Sequence, residues 1–359
     1  MNRDLISKYK TFLDLQGVFF LYLILKLLIV LVGFYIISIL EINLFFGYDF
    51  NYYRYKSDFY SFGANAGYKW LIHIFGINAL GDLKSIILTF SVNTICDLFW
   101  IVYLRQHLKS SMLIFFSVLL AIHPYAAIYS IKLDSVIFAK VGVLLFFVQL
   151  HLLESFQSPL SKGIFYPIWL VLSLLRNSNI FIFLSVVLYE YRSTRVFLIS
   201  IIIISALFMY FYADFDNKNT AGGYIKALLI NEALWDLEYI EEITGINYFP
   251  LNFIILCISR VLLLFGARER VFQEGLLPFI NDGFPSAELM FYVVIGVFQF
   301  LGIIWATLYL LKKFGFKYLL VLIPLFLALV TVCHARYFVP YVPFALFGIA
   351  KFVEKRLVR

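Results

Sequence analysis

The stretch "GVFFLYLILKLLIVLVGFYIISILEI" at residues 17–42 decides the class of this protein. It contains one cation, Lys26, and reaches its first carboxylate only at Glu41. A helix needs about 20 apolar residues to cross the hydrocarbon core of a bilayer. The run therefore predicts a membrane-spanning first helix. Because no small-residue cleavage site follows it, we interpret it as a retained span and not as a removed signal peptide.

The chain as a whole has the composition of a polytopic membrane protein. Of its 359 residues, 63% are hydrophobic and 14% are charged, whereas about 25% of the residues in a soluble domain are charged. The cysteines, Cys96, Cys257 and Cys333, show neither zinc-ligand spacing nor a disulfide pattern. The net charge of +7 lies mainly at loop ends, where it orients the spans, so it does not indicate a nucleic-acid partner.

Apolar runs recur along the chain and predict an all-α transmembrane helix bundle of about ten spans. The predicted spans are 17–42, 84–104, 111–131, 136–156, 164–175, 179–190, 196–213, 288–311, 318–333 and 337–352. Segments rich in Lys and Arg separate them at 105–110, 158–163, 189–195 and 312–317, and the chain ends in "KFVEKRLVR". Cytoplasmic loops carry such an excess of Lys and Arg. Ten crossings place both termini and all of these segments in the cytoplasm.

One further apolar run, 250–266, leaves a count of eleven spans open. We expect it to be re-entrant or interfacial, because a crossing there would leave Lys312 and Lys313 outside. Three regions follow from this interpretation. They are an N-terminal transmembrane domain at 1–213 with a first outer loop at 43–83, an external loop at 214–287 with amphipathic and re-entrant helices, and C-terminal transmembrane helices at 288–359.

On this topology, unusual polar residues from five separate segments gather at the external face. They are Asp49, Arg54, Lys56 and Asp58; His123, Lys132 and Asp134; Arg176; Arg260, Arg268, Glu269 and Arg270; and His334, Arg336 and Tyr337. Each residue taken alone is also compatible with an ordinary solvated loop position. Taken together, they place carboxylates and guanidinium groups directly beside apolar spans.

Other polar residues lie within the predicted spans. Lys26 can extend to the interface or pair with a polar neighbour. Asn93 and Asp97, one helical turn apart, predict a hydrogen-bonding patch between helices. Lys140 can pair with either of these residues or turn toward the external face. We assign these residues structural roles.

The external set has the chemistry of a site for a lipid-linked sugar. Arginine presents a planar fork that binds phosphate through two hydrogen bonds. A carboxylate can take the proton from a sugar hydroxyl that attacks an anomeric carbon. A substrate that combines a lipid tail, a phosphate and a sugar needs these groups at the membrane boundary.

Several segments resemble the GT-C superfamily of membrane glycosyltransferases. "GYDFNYYRYK" and "ANAGYKWLIHIFG" are similar to the acidic first outer loop and the aromatic segment that follows it, although the second lacks the proline of that family. "HPYAAIYSIKLDS" is similar to the family's histidine–proline turn with its aspartate, and "SLLRNSN" to its arginine between short spans. "RYFVPYVPF" resembles the "RYxxPxxP" segment near the family's C-terminus. Composition, size and span count also resemble those of bacterial O-antigen polymerases.

The resemblance implies an inverting transfer of a sugar or glycan on the external face of the bacterial cytoplasmic membrane. The expected donor is a polyprenyl-phosphate- or pyrophosphate-linked sugar, and the acceptor is a glycan or a lipid-linked glycan. By this analogy Asp49 is the general base, Asp134 is its acidic partner, and Arg270 and Arg336 hold the phosphate. No cofactor is implied with certainty, a divalent metal is compatible with the site, and other polysaccharide-assembly proteins are expected partners.

Two other functions remain open from the sequence. A transporter or flippase of lipid-linked oligosaccharide would show internal repeats and paired interrupted spans, and the sequence has no convincing repeat. A scaffold for an assembly complex would explain the apolar spans but not the clustered aspartates and arginines.

Overall fold

The fold is described from a computed structural model of the chain. The residues described are 3–39, 68, 71, 74, 82–131, 136–155, 159–176, 178–190, 199, 245, 248, 251, 254–255, 280–281, 284–285, 287–314, 319, 321–322, 325 and 338–357.

Within these residues the chain is almost entirely helical. In chain order the elements are α1 (Arg3–Ile39), α2 (Asp82–Leu104), α3 (Ser110–Ile122), α4 (Pro124–Ile131), α5 (Val136–Ser155), α6 (Pro159–Leu175), α7 (Asn179–Glu190), β1 (Ile280–Asn281), β2 (Phe284–Pro285), α8 (Ala287–Phe314), a 3-10 helix (Val339–Tyr341) and α9 (Val342–Leu357). The two short strands pair antiparallel, with Ile280 opposite Pro285 and Asn281 opposite Phe284.

The prediction of a helical membrane protein is confirmed in its general form. Three of the described helices are long and apolar enough to cross a membrane, at Leu15–Gly33, Ile86–Leu104 and Val293–Lys313. The pair formed by α3 and α4 adds a fourth if it is counted as one span. Most of the predicted span at 196–213 and most of the one at 318–333 lie outside the described residues.

The surface of the bundle is rich in large apolar side chains, and its interior is mostly apolar as well. Large apolar side chains face outward, with Phe20 67% exposed on α1 and Val294 62% exposed on α8. Polar side chains such as Gln149, Asn179 and Gln299 are buried inside the bundle. An apolar exterior needs lipid as its solvent, because a soluble monomer does not leave contiguous apolar surface of this extent in water.

The predicted third span, 111–131, is broken in the structure. It consists of α3 and α4, bent by 63° relative to each other. The break lies at His123 and Pro124: proline has no backbone N–H, and the residue before it is pushed out of the helical region. His123 accordingly has the extended angles φ −64° and ψ 122°.

Helices α8 and α9 form the most extensive contact among the described elements. Ile295 of α8 packs against the apolar cluster that includes Val339, just before α9, and Tyr309 of α8 lies beside Phe347, with ring centroids 5.2 Å apart. The two helices therefore run parallel. Their backbones approach closely because Gly348 of α9 faces the backbone of α8, as small residues at helix interfaces in membranes permit.

The bundle has two distinct ends. We call the end that holds Tyr125, Tyr129, Val136 and Val339 the motif end, because these residues belong to or adjoin the quoted motifs and form one apolar cluster. At the other end, the backbone N–H of Lys109 donates to Oε1 of Glu354 at 3.1 Å. We call this the basic end, since α8 and α9 both carry lysine or arginine in their last turns there.

Candidate functional site

The first half of α5 is the place where three separate motif segments meet. Tyr125 and Tyr129 of α4 pack with Val136 at the start of α5 and with Val339 of the 3-10 helix. Tyr341 secures the 3-10 segment, because its hydroxyl donates to the carbonyl of Val321 at 2.8 Å. The segments "HPYAAIYSI" and "FVPY", more than 200 residues apart in the chain, therefore lie side by side.

The turn between α6 and α7 joins the same region. Asn179 is fully buried, and its Nδ2 donates to the carbonyl of Phe138 at 3.0 Å and to that of Leu172 at 2.9 Å. Its amide group lies directly against Gly142 of α5, where no larger side chain would fit. Arg176, in the same turn, is 7% exposed. Asn179 thus fixes the turn that carries Arg176 onto the first half of α5.

His123 occupies the break between α3 and α4. Its carbonyl accepts the backbone N–H of Ala127 at 2.9 Å, and its Nδ1 accepts the backbone N–H of Ala126 at 3.3 Å. The imidazole therefore caps the start of α4. Nδ1 acts as an acceptor, so the neutral ring carries its proton on Nε2. That nitrogen is buried and has no hydrogen-bond partner within the part of the chain that the structure describes.

A buried ionic cluster lies beside this break. The Nζ of Lys26 on α1 lies 2.8 Å from Oδ2 of Asp97 on α2, and the hydroxyl of Tyr22 donates to the same oxygen at 2.6 Å. Lys140 of α5 pairs with Oδ1 of Asp97. We call Lys26, Asp97 and Lys140 the charge triad. Its members are only 1%, 0% and 2% exposed, respectively.

The charge triad holds two cations and one anion. Among the described residues, neither lysine has a second carboxylate within ion-pair distance. Lys26 also lies 5.4 Å from the ring centroid of Tyr22 and 5.5 Å from that of Phe90, contacts that partly solvate its ammonium group. With both lysines protonated, the triad leaves one surplus positive charge inside an apolar bundle, where it is weakly screened and attracts anions.

A hydrogen bond connects the helix that carries Asp97 to the motif end. Asn93, one turn before Asp97, donates through Nδ2 to the carbonyl of Tyr129 at 3.1 Å. This bond ties α2 to α4. The broken helix, the triad and the motif segments therefore form one continuous buried region.

Only two of the predicted external site residues fall within the described part of the chain. His123 and Arg176 are both buried, and both lie at the motif end. The following predictions lie outside the described residues: Asp49, Arg54, Lys56, Asp58, Lys132, Asp134, Arg260, Arg268, Glu269, Arg270, His334, Arg336 and Tyr337.

The interpretations of the polar residues within the spans are confirmed where the structure describes them. Lys26 pairs with Asp97, and Asn93 makes a hydrogen bond between helices. For Lys140, which had two open alternatives, the structure selects the pairing with Asp97. The sequence reasoning missed Tyr22, although its position one turn before Lys26 was a usable signal, because residues at i and i+4 share a helix face.

Among the described residues there is no group of three His, Cys, Asp or Glu side chains that could hold a metal ion. A divalent metal at Asp49 or Asp134 stays a prediction, since both residues lie outside the described part.

Comparison with known proteins gives no relative for this chain. No protein-family model, no curated protein and no solved structure matches it.

Proposed function

We propose that this chain is a membrane glycosyltransferase of the GT-C type, with about ten spans, that uses a polyprenyl-linked donor on the external face of the bacterial cytoplasmic membrane. Its product is a surface polysaccharide, and it acts as a single-sugar transferase or as an O-antigen repeat-unit polymerase. The supporting observation is the packing of the segments "HPYAAIYSI" and "FVPY", with the Arg176 turn, around the start of α5. These are three of the segments that carry the family resemblance.

Chain connectivity adds to this support. Asp134 precedes Val136 of the motif-end cluster by two residues, and Tyr337 precedes Val339 of the same cluster by two residues. Arg336 precedes Val339 by three residues. The proposed acid and the proposed phosphate-binding arginine are therefore close chain neighbours of residues that meet in space.

In the proposed reaction, Asp49 takes the proton from an acceptor hydroxyl as the hydroxyl oxygen attacks the anomeric carbon of the donor. The new glycosidic bond forms as the bond from that carbon to the phosphate oxygen breaks. The electron pair leaves with the polyprenyl phosphate or pyrophosphate. Arg270 and Arg336 bind this leaving group through their planar forks, and the surplus charge of the triad adds a favourable potential for it.

The test replaces Asp49 with Asn, which keeps the shape of the side chain and removes its basicity. A deletion strain is complemented with wild type, Asp49→Asn or Asp58→Asn at matched protein levels. Loss of a general base costs about 10²–10⁴ in rate, so Asp49→Asn should erase the long-chain polysaccharide ladder. Asp58, which we interpret as a solvated loop residue, is the matched control and should keep it. Equal behaviour of the two variants would rule out Asp49 as the base.

A flippase of lipid-linked oligosaccharide is the second candidate, favoured by one observation. The helix pair α3 and α4 is bent by 63° next to the buried charge triad, and interrupted helices beside buried charges are frequent in transporters. Purified protein in detergent separates the two functions. With lipid-linked donor and acceptor supplied in the same micelles, a transferase forms the glycosidic bond. A flippase forms no product, because it moves lipids without making or breaking a covalent bond.

A further inference from the structure

The basic end carries a concentration of cations that the proposed reaction at the motif end does not use. Three chain segments meet there: the turn at 105–109, the end of α8 at 312–313 and the end of α9 at 351–356. Together they contain seven lysines and arginines and a single acidic residue, Glu354.

Glu354 is fully occupied by contacts within the protein. Its Oε1 accepts the backbone N–H of Lys109 at 3.1 Å, and its Oε2 accepts the Nζ of Lys351 at 2.6 Å. Both carboxylate oxygens are used, so this residue does not neutralise the remaining cations. Lys312, Lys355 and Arg356 are exposed.

The exposed cations of α9 lie against aromatic rings. The Nζ of Lys355 lies 5.6 Å from the ring centroid of Trp305, and the guanidinium carbon of Arg356 lies 5.4 Å from that of Phe352. Trp305 and Phe352 are themselves in contact, with centroids 4.9 Å apart. These two rings form an aromatic shelf between α8 and α9. Aromatic rings at this position are typical of the boundary between hydrocarbon and headgroups.

An exposed apolar stripe of α8 flanks the shelf on both sides. Leu301 is 49% and Leu308 is 50% exposed. The spacing of Leu301, Trp305, Leu308 and Lys312 is four, three and four residues, which places all four on one face of the helix. This face therefore presents apolar surface on both sides of an aromatic ring and ends in a cation.

We propose that the basic end binds an anionic glycerophospholipid between the ends of α8 and α9. Its phosphodiester lies between Lys312 and Lys355, above the ring of Trp305, and an acyl chain follows the stripe of Leu301 and Leu308. A phospholipid fits better than a free anion because the charged and apolar parts of the site are continuous. This site is independent of the proposed transferase activity.

Fluorescence quenching in bilayers tests the proposal. The protein is reconstituted in dibrominated phosphatidylcholine, whose bromines quench tryptophan, and unlabelled phosphatidylglycerol is added in increasing proportion. Recovery of the Trp305 signal, obtained by subtracting a Trp305→Phe variant, reports displacement of the zwitterionic lipid. Each surface cation contributes about a fivefold preference for anionic lipid. We expect wild type to prefer phosphatidylglycerol by at least about fivefold, and Lys312→Gln with Lys355→Gln to remove this preference.

The control is Lys84→Gln, because Lys84 is an exposed lysine in the first turn of α2, away from the shelf. It should leave the preference unchanged. A second measurement needs no variant: raising the salt concentration from about 0.05 to 0.5 M shortens the screening length severalfold and should weaken the preference of wild type. Equal affinity of wild type for both lipids, insensitivity to salt, or an equal loss in Lys84→Gln would overturn the proposal.

Discussion

The Nζ of Lys26 lies 2.8 Å from Oδ2 of Asp97, and both side chains are almost completely buried between α1 and α2. The same carboxylate pairs with Lys140 of α5. One aspartate therefore connects three helices that are far apart in the chain. A charged group inside an apolar bundle is retained only with partners of opposite charge, so the triad fixes both the position and the rotation of these helices.

The first prediction compares the members of the triad. Asp97→Asn leaves two buried ammonium groups without a carboxylate, and breaking a buried ion pair in this way costs about 3–5 kcal/mol. Lys140→Met should be milder, because it removes the surplus charge and leaves Lys26 paired one-to-one with Asp97. Thermal unfolding of detergent-purified protein, followed by fluorescence-detected size exclusion, measures both. Equal destabilisation by Lys140→Met and Asp97→Asn would contradict the prediction that the shared carboxylate matters more than either of its cationic partners.

The second prediction concerns the contact between α8 and α9. A Cβ atom added at Gly348 would lie 2.7 Å from the backbone N of Ala306 and closer still to the carbonyl of Gly302. Gly348→Ala must therefore push the two helices apart. Overpacking of this kind costs about 1–3 kcal/mol or more, which should appear as a lower melting temperature.

Gly33→Ala is the control for this substitution. Gly33 lies in α1, and no atom lies within 4 Å of the position that its Cβ would occupy. Alanine should be neutral or stabilising there, by up to about 1 kcal/mol, because it forms helix more readily than glycine. Equal destabilisation by both alanines would contradict the close approach of α8 to α9.

The third prediction is a pH dependence of stability from His107. This residue lies in the turn after α2, with its ring centroid 5.0 Å from that of Tyr103 and 6.4 Å from that of His151. Burial, followed by the positive charges of Lys313, His151 and Lys351, lowers the pKa of His107 from 6.5 to about 4. The folded protein therefore binds this proton less readily than the unfolded chain.

This difference in proton binding sets the sign of the pH effect on the free energy of unfolding. Between pH 6.5 and 4 the unfolded chain holds the proton and the folded state does not, so the free energy of unfolding falls as the pH falls. Solvent screening of this half-buried ring limits the loss to roughly 1–2 kcal/mol. Melting temperatures measured across this range should decline for wild type and decline less for His107→Phe. If the melting temperatures of wild type and His107→Phe declined equally with pH, the loss of stability would come from other titratable groups.

The fourth prediction tests the topology. In a variant whose native cysteines are serines, a cysteine at Asn217 or Asn281 should react with a membrane-impermeant maleimide added to intact cells. A cysteine at Ser158 should react only after the cells are opened, because 158–163 is predicted to be cytoplasmic. Labelling of Ser158→Cys from outside, without labelling at the other two positions, would reverse the orientation and place the proposed site in the cytoplasm.

The positions of helices were predictable from the sequence wherever a single apolar run decided them. The predicted spans at 84–104 and 136–156 correspond to helices at Asp82–Leu104 and Val136–Ser155. In hydrocarbon each backbone N–H and C=O must find a partner within its own segment, so the helical state of such a run is a local property. The break at His123 also had a local signal, Pro124, but the apolar run on both sides concealed it.

Tertiary structure alone decided which polar groups pair. The sequence left Lys140 with two alternatives and gave no reason why Gly302 should face Gly348, because the choice between partners more than 40 positions apart in the chain depends on how their helices rotate and pack. The packing of "HPYAAIYSI" beside "FVPY" is likewise a property of the bundle and not of either segment. Membrane character followed from composition because solvation acts on every residue separately, whereas the charge triad exists only because three helices bring Lys26, Asp97 and Lys140 together.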